Sequence, residues 1–282
     1  MRARRWLPYA LIAPAALWLL LFFVVPFYSL LANILFDPKG DNLTGYRVTY
    51  HFGNFTHVLS TYGAHMWRSL WWATISTALC LVLGYVLAYT IAFKAGRWKN
   101  LVLVLVVAPF FTSFLIRTSA WKLILADHGW LVQTLQSLHV LGPGARILAT
   151  PVAAIAGLTY NFLPFAILPL YTSIEKLDRS LLEAAEDLYA SPAKTFTKVT
   201  LPLTMPGIVG ATLLTFIPSV GDYINAQLLG STTDRVVGQD IESLFTTTGD
   251  YASAGALSVI LLVVILAMTM IYVRKAGTEE LL

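Results

Sequence analysis

Six long apolar runs constrain the fold of this chain more than any other feature. They lie at about 7–35, 66–93, 101–125, 151–172, 203–227 and 252–273. A helix needs about 20 apolar residues to cross a bilayer, and a backbone in lipid must satisfy its hydrogen bonds internally. Only 12% of the residues are charged, against about 25% in soluble domains. The sequence therefore predicts an all-α membrane protein with six transmembrane helices in a single domain, residues 1–282.

The positions of Lys and Arg predict the orientation of these helices. Twelve of the 19 fall in the termini and in the loops after the second and fourth runs, and four fall in the other loops. Because basic residues are enriched on the cytoplasmic side, both termini and the 173–202 loop are predicted to be cytoplasmic. The outer loops are then about 36–65, 126–150 and 228–251. An apolar stretch at 130–135 predicts a short helix on the membrane surface.

The sequence lacks the residues that several kinds of functional site need. One cysteine, Cys80, cannot form an internal disulfide, and we expect it in the core or against lipid. The five histidines fall in the first two outer loops without the spacing of a metal site. The chain has no G-x-x-x-x-G-K-[ST] phosphate loop, and its spans hold no convergent set of catalytic groups. We expect no enzyme activity, no metal and no cofactor bound by this chain.

The 173–202 loop has the pattern of two short amphipathic helices. Ser180 and Glu183 have the spacing of a capping box, and Ser191-Pro192 is typical of the start of a second helix. Apolar residues recur at helical spacing on one face of the first helix: Leu181, Leu182, Ala185, Leu188 and Tyr189. Such a face fits a groove on a partner, or it packs on the chain's own helices or the lipid interface. The residues alone leave these alternatives open.

This loop also carries a recognisable motif. Glu183-Ala184-Ala185 is followed at fixed spacing by Val199, Leu201 and Pro202. The pattern resembles the "EAA" loop of permease subunits in bacterial ABC importers, which docks onto a cytoplasmic ATPase. The family has a glycine where this chain has Tyr189, which weakens the expectation of a tight turn and suggests a bulkier contact with the ATPase or with the permease's own helices. The resemblance implies that docking involves Glu183, Ala184, Ala185, Leu188, Tyr189, Ala190 and Phe196.

Two further stretches, 108–121 and 217–230, resemble the third and fifth helices of spermidine/putrescine importer permeases. The resemblance implies the type I ABC importer permease fold and polyamine import by alternating access in the cytoplasmic membrane of a bacterium. The implied partners are two ATPase subunits that hold ATP and Mg, a second permease of the same fold and an extracytoplasmic substrate-binding protein. Permeases for another small solute, such as iron, a phosphonate or an opine, share much of this pattern and remain the alternative.

Polar residues inside the spans are candidates for the substrate pathway, because they are costly in lipid and suit a cation. The candidates are Asp222, Tyr223, Asn225, Trp121, Tyr160 and Asn161. Asp222 has a structural alternative, which is to pair with Arg117 or to cap a broken helix near 218–221. We expect Arg117 to be paired or to lie at headgroup level. Trp121 also suits the membrane interface, and Tyr160 and Asn161 also suit a contact between helices.

Overall fold

The computed structural model describes residues 7–35, 50–142 and 144–275, and the regular elements within these ranges are all helical. Their contacts divide the chain into two compact units. The first lies within Met1–Gly63 and Asp240–Val263, and the second lies within Ala64–Gln239 and Val264–Leu282. The prediction of one domain is not tested by this division and stays a prediction.

The elements follow one another with short connections. In chain order the α-helices are α1 (Leu7–Leu19), α2 (Val25–Asn33), α3 (Gly53–Phe93), α4 (Lys99–Val107), α5 (Phe114–Ile124), α6 (Trp130–Ser137), α7 (Pro151–Glu175), α8 (Arg179–Asp187), α9 (Pro192–Thr195), α10 (Leu201–Leu203), α11 (Met205–Gly221), α12 (Ile224–Leu229), α13 (Val237–Ser243) and α14 (Tyr251–Lys275). Single turns of 3₁₀-helix cover Gly96–Trp98 and Ala108–Phe111, and π-helical turns cover Leu20–Val24, Phe196–Thr200 and Leu244–Thr248.

The first unit contains a nearly continuous helical rod made of α1, its π-helical turn and α2. The rod's side chains from Leu11 to Val25 are exposed and almost entirely apolar, as expected of a helix that faces lipid. At its far end, Asn54 Nδ2 donates to the Ile34 carbonyl oxygen at 2.9 Å. Gly255 of α14 comes so close that a Cβ there would lie 3.2 Å from the Leu30 carbonyl oxygen. These contacts fasten the end of the rod to α3 and α14.

The second unit is built around α7, whose residues are buried along most of its length. The Thr150 side chain caps this helix by accepting a hydrogen bond from the Ala153 N–H at 3.3 Å. Gly207 lets α11 approach α7 closely, because a Cβ there would lie 2.8 Å from the Pro169 carbonyl oxygen. On its other side α7 packs against α3, where Cys80 is buried as predicted. The central helix α7 therefore packs against both α3 and α11.

The helices agree with most of the predicted spans, but two of those spans are broken. Four helices are long and apolar enough to cross a bilayer, and there are up to six spans if each of two bent pairs counts as one. The second predicted span corresponds to α3. This helix begins at Gly53, earlier than the predicted 66, and takes in part of the predicted outer loop 36–65. Residues 36–49 of that loop and both predicted cytoplasmic termini, 1–6 and 276–282, lie outside the described residues.

The third predicted span, 101–125, is bent by 97° between Phe111 and Phe114. Pro109 lies just before the bend, and proline has no N–H to continue a helical ladder. The fifth predicted span, 203–227, has a 66° bend between Leu203 and Met205 and is interrupted again after Gly221. The short helix predicted at 130–135 is present as α6, with Trp130 exposed and Val132 buried.

Candidate functional site

The first candidate site is the 173–202 loop, and its first helix starts two residues earlier than the predicted capping box. The Asp178 side chain is the cap, since its Oδ1 accepts the Ser180 N–H at 2.9 Å. Ser180 lies inside α8, so the predicted capping box with Glu183 is wrong. The hydrogen bonds from Ser180 hold the pKa of Asp178 below its ordinary value. The helix start is therefore fixed by a residue just ahead of the motif.

The face of α8 differs from the single apolar stripe that was predicted. Leu182 and Ala185 are half-buried against the chain, whereas Glu183 and Ala184 are exposed. The remaining exposed side chains of the helix include two more carboxylates, Glu186 and Asp187. The outward surface of α8 therefore carries three carboxylates, and the helix lies next to the second helix of the loop.

The first helix ends in a tight turn centred on Tyr189. The Ala190 N–H donates to the Ala185 carbonyl at 3.0 Å, and the Tyr189 N–H donates to the Glu186 carbonyl at 2.8 Å. This pair of bonds is the Schellman motif, which normally has glycine at the position of Tyr189. Tyr189 has a φ of +57°, in the left-handed region. The tight turn, which the missing glycine had put in doubt, is therefore present.

The second helix of the loop starts as predicted and lies on α3. Ser191 Oγ accepts the Lys194 N–H at 3.4 Å, and Pro192 occupies the first helical position. The Phe196 ring meets the Tyr85 ring edge-on, with centroids 5.6 Å apart. Phe196 was a predicted docking residue, and within this chain it holds the loop against α3.

The start of the loop contacts neighbouring helix ends. The Arg179 guanidinium lies 5.4 Å from the centre of the Phe93 ring at the end of α3. Lys99 at the start of α4 forms an ion pair with Glu175 at the end of α7. These contacts join the start of the loop to the end of α3, the start of α4 and the end of α7.

The second candidate site is a buried polar cluster that joins α5, α7 and α12. Asn161 Nδ2 donates to Thr118 Oγ1 and to Asn225 Oδ1, both at 3.0 Å. All three side chains are fully buried. Asn225 in turn donates to Asp222 Oδ1, from its backbone N–H at 2.8 Å and from its Nδ2 at 3.1 Å. A buried polar network of this kind fixes the positions of the helices that carry it.

Asp222 lies in the break between α11 and α12 and has a structural role there. By accepting the Asn225 N–H it caps the start of α12 directly after the break at Gly221, which agrees with the predicted alternative of capping a broken helix near 218–221. Among the described residues no ion pair joins Asp222 to Arg117, which was the other predicted alternative. Two nitrogens of Arg117, Nε and Nη1, are buried without a hydrogen-bond partner within the described chain. Its guanidinium lies 5.7 Å from the centre of the Phe114 ring.

Two of the aromatic candidates lie on helices that also carry this cluster. The rings of Trp121 and Tyr160 meet edge-on with centroids 5.3 Å apart. They belong to α5 and α7, the same helices that supply Thr118 and Asn161. Tyr223 follows Asp222 in the chain and is 37% exposed. The structure thus brings most of the six predicted pathway residues into one region of the second unit.

Two members of this region were missed by sequence reasoning. Thr118 is an ordinary helix residue in sequence, and nothing marks it as a partner of Asn161. Gly157 lets α12 lie against α7, because a Cβ there would be 2.3 Å from Leu229 Cδ1 and 2.7 Å from Asn225 Oδ1. A glycine in the middle of a predicted helix, one turn before Asn161, is a signal that predicts such a close approach.

The comparisons with known proteins agree with this architecture. A family model described as "Binding-protein-dependent transport system inner membrane component" matches residues 82–275. The chain belongs to this family. It is 38% identical to the spermidine/putrescine transport system permease protein PotB of Haemophilus influenzae, over 91% of this chain and 90% of that protein. It is 37% identical to PotB of Escherichia coli, over 92% of this chain and 94% of that protein.

The fold has also been seen in a solved structure. A chain in the crystal structure of a bacterial ABC transporter involved in the import of the acidic polysaccharide alginate superposes with a TM-score of 0.79. The match covers 98% of this chain and 97% of that one, at 19% identity. This permease is therefore an all-helical, multi-pass component of the bacterial cytoplasmic membrane, and its family is a transport family rather than a family of enzymes.

Proposed function

We propose that this chain is one permease subunit of an ATP-driven ABC importer that moves a polyamine, spermidine or putrescine, across the cytoplasmic membrane. The observation that carries the proposal is the likeness to two spermidine/putrescine permeases over at least nine-tenths of both chains. The chain then alternates between inward- and outward-facing states, with the path lying between it and a second permease of the same fold.

The chemistry of the polar cluster suits a substrate with ammonium groups. A polyamine needs oxygen acceptors for its N–H groups and apolar walls for its methylenes. Asp222 offers a carboxylate, and Asn161 has a buried Oδ1 with no hydrogen-bond partner in the described chain. The Trp121 and Tyr160 rings, on the same two helices as Thr118 and Asn161, offer faces that attract cations by about 0.5–2 kcal/mol. We place Tyr223 and Asn225 along the same path.

We propose the assembly that the likeness to this family suggests. Two ATPase subunits bind ATP and Mg, and an extracytoplasmic binding protein delivers the substrate.

The single domain has six spans, with each bent pair counted as one, and both termini are cytoplasmic. The 173–202 loop then faces the ATPase and docks onto it through Glu183, Ala184, Ala185, Leu188, Tyr189, Ala190 and Phe196. The exposed acidic surface of α8 supports this docking, because it is available to a partner.

A second candidate is a permease for another small solute, such as iron, a phosphonate or an opine. One observation favours an anionic solute. The guanidinium of Arg117 has two buried nitrogens without hydrogen-bond partners in the described chain, and a phosphonate or carboxylate would satisfy them. The uptake experiment below separates this candidate from a polyamine.

The test is uptake of labelled spermidine and putrescine by import-deficient cells that express this chain with its neighbouring transporter genes. Asp222→Asn is run beside wild type, and Asp127→Asn, which changes an exposed carboxylate paired with Arg146, is the matched control. We expect wild type and the control to accumulate polyamine and Asp222→Asn to lose most uptake at equal membrane levels. Uptake by all three would remove Asp222 from the path. An assembled complex that hydrolyses ATP but imports only an anionic solute would contradict the polyamine proposal.

A further inference from the structure

Tyr189 combines two features that are unfavourable within the chain. Its backbone lies in the left-handed region, with a φ of +57°, where a side chain clashes with its own backbone and glycine does not. The residue is also 97% exposed, and the preceding Leu188 is 82% exposed. The described chain offers the ring no contact that compensates for either feature.

The turn itself does not require a tyrosine. Both hydrogen bonds of the turn are made by backbone atoms, so glycine would form the same turn without strain. Asparagine also tolerates this conformation. What a tyrosine adds at this position is a large ring projected away from the chain at the tip of the loop. A strained residue that is exposed in the isolated subunit points to a contact made in the assembly.

We infer that the Tyr189 ring enters an apolar pocket on the ATPase subunit, and that this contact distinguishes the chain's own ATPase from those of other importers. The inference rests on the proposed docking of the 173–202 loop. Tyrosine is enriched among interface residues that dominate binding, because it buries much area with few rotatable bonds. Leu188 lies beside it and enlarges the apolar tip.

The charge around the ring specifies the partner surface further. The exposed charged side chains in the second half of α8 are carboxylates, Glu183, Glu186 and Asp187, whereas the exposed basic groups Arg179 and Lys194 lie at the start of α8 and in α9. A complementary surface therefore has an apolar pocket with basic groups on the side that meets α8. Charged rims of this kind govern which partners associate. A pocket shaped for a glycine turn would have no room for the ring, which is how the residue discriminates between ATPases.

The experiment uses the complete transporter with Tyr189→Phe, Tyr189→Gly and Tyr189→Asn. The affinity of the membrane complex for its own ATPase and for the ATPase of an unrelated importer is measured by titration of the purified ATPase. We expect Tyr189→Phe to bind its own ATPase like wild type, and the Gly and Asn variants to bind about tenfold more weakly. The preference for its own ATPase over the foreign one should shrink in the Gly variant. Unchanged affinity and preference in that variant would overturn the inference.

Two controls separate this inference from the docking proposal on which it rests. The unfolding temperature of Tyr189→Gly should not fall, because the turn is preserved and its strain is relieved. A loop variant with Glu183→Lys and Ala184→Glu, both exposed positions, should lose ATPase binding altogether. If that variant loses binding while Tyr189→Gly keeps it, only the role of the ring is wrong. If both variants bind normally, the docking proposal itself fails.

Discussion

At the scale of single residues, Asn161 connects most of the polar cluster. Its Nδ2 group donates to side chains from two other helices, α5 and α12. These two partners, Thr118 and Asn225, lie 43 and 64 positions away from Asn161 in the sequence. A hydrogen bond that is lost inside a protein leaves its partner unsatisfied, and that costs more than the bond contributes when it is made. The cluster is therefore sensitive to the loss of this one amide.

We predict that Asn161→Leu lowers the free energy of unfolding by about 1–3 kcal/mol, because Asn225 Oδ1 is left buried without its donor. Thermal unfolding of the purified complex in detergent measures the effect. The matched control is Asn100→Leu, which changes an exposed asparagine on α4. Equal unfolding temperatures for the two variants would mean that the network does not hold α5 and α12 to α7.

At the scale of elements, the sequence predicted where helices lie better than where they break. Apolar runs reveal which segments enter the membrane, and all six predicted runs contain helix. The 97° bend between Phe111 and Phe114 leaves no mark on hydrophobicity, since both arms are apolar. Ser180 and Glu183 have the spacing of a capping box, but the residue that caps the helix is Asp178, two positions earlier. Local spacing alone did not identify which polar side chain makes the cap.

For the candidate site, too, the sequence predicted some features and not others. Asp222, Asn225 and Asn161 were identified one by one, because a polar residue in an apolar run is conspicuous. Their mutual bonds were not predicted, since contacts between distant segments depend on how the helices pack. Thr118 and Gly157 were missed for that reason. Sequence reasoning thus found most of the polar groups but not the geometry that joins them.

The packing of Phe196 on Tyr85 leads to a prediction for the loop. Phe196→Ala should free the second helix of the loop from α3, because an aromatic pair contributes about 0.5–1.5 kcal/mol beyond its buried area. Limited proteolysis between residues 188 and 203 should become about three- to tenfold faster. Thr197→Ala is the control, since it leaves the ring contact intact. Similar cleavage rates for both variants would show that this contact does not anchor the loop.

At the scale of the whole molecule, two interruptions of the helices lie next to the polar cluster. The break after Gly221 places Asp222 at the start of α12, and the bend before Phe114 precedes the helix that supplies Thr118. The 173–202 loop connects α7, the central helix of the second unit, to the helices leading into α11. A force on the loop therefore acts on the same helix that carries Asn161. This continuity is the basis on which we expect ATP hydrolysis and substrate movement to be coupled.

The most direct test of this account is ATP-driven spermidine accumulation in proteoliposomes that contain the complete transporter and its binding protein. Wild type should accumulate spermidine only when ATP is supplied on the side of the ATPase. The loop variant Glu183→Lys with Ala184→Glu should bind substrate normally but accumulate none. ATP-independent accumulation, or equal accumulation by wild type and the loop variant, would contradict the account.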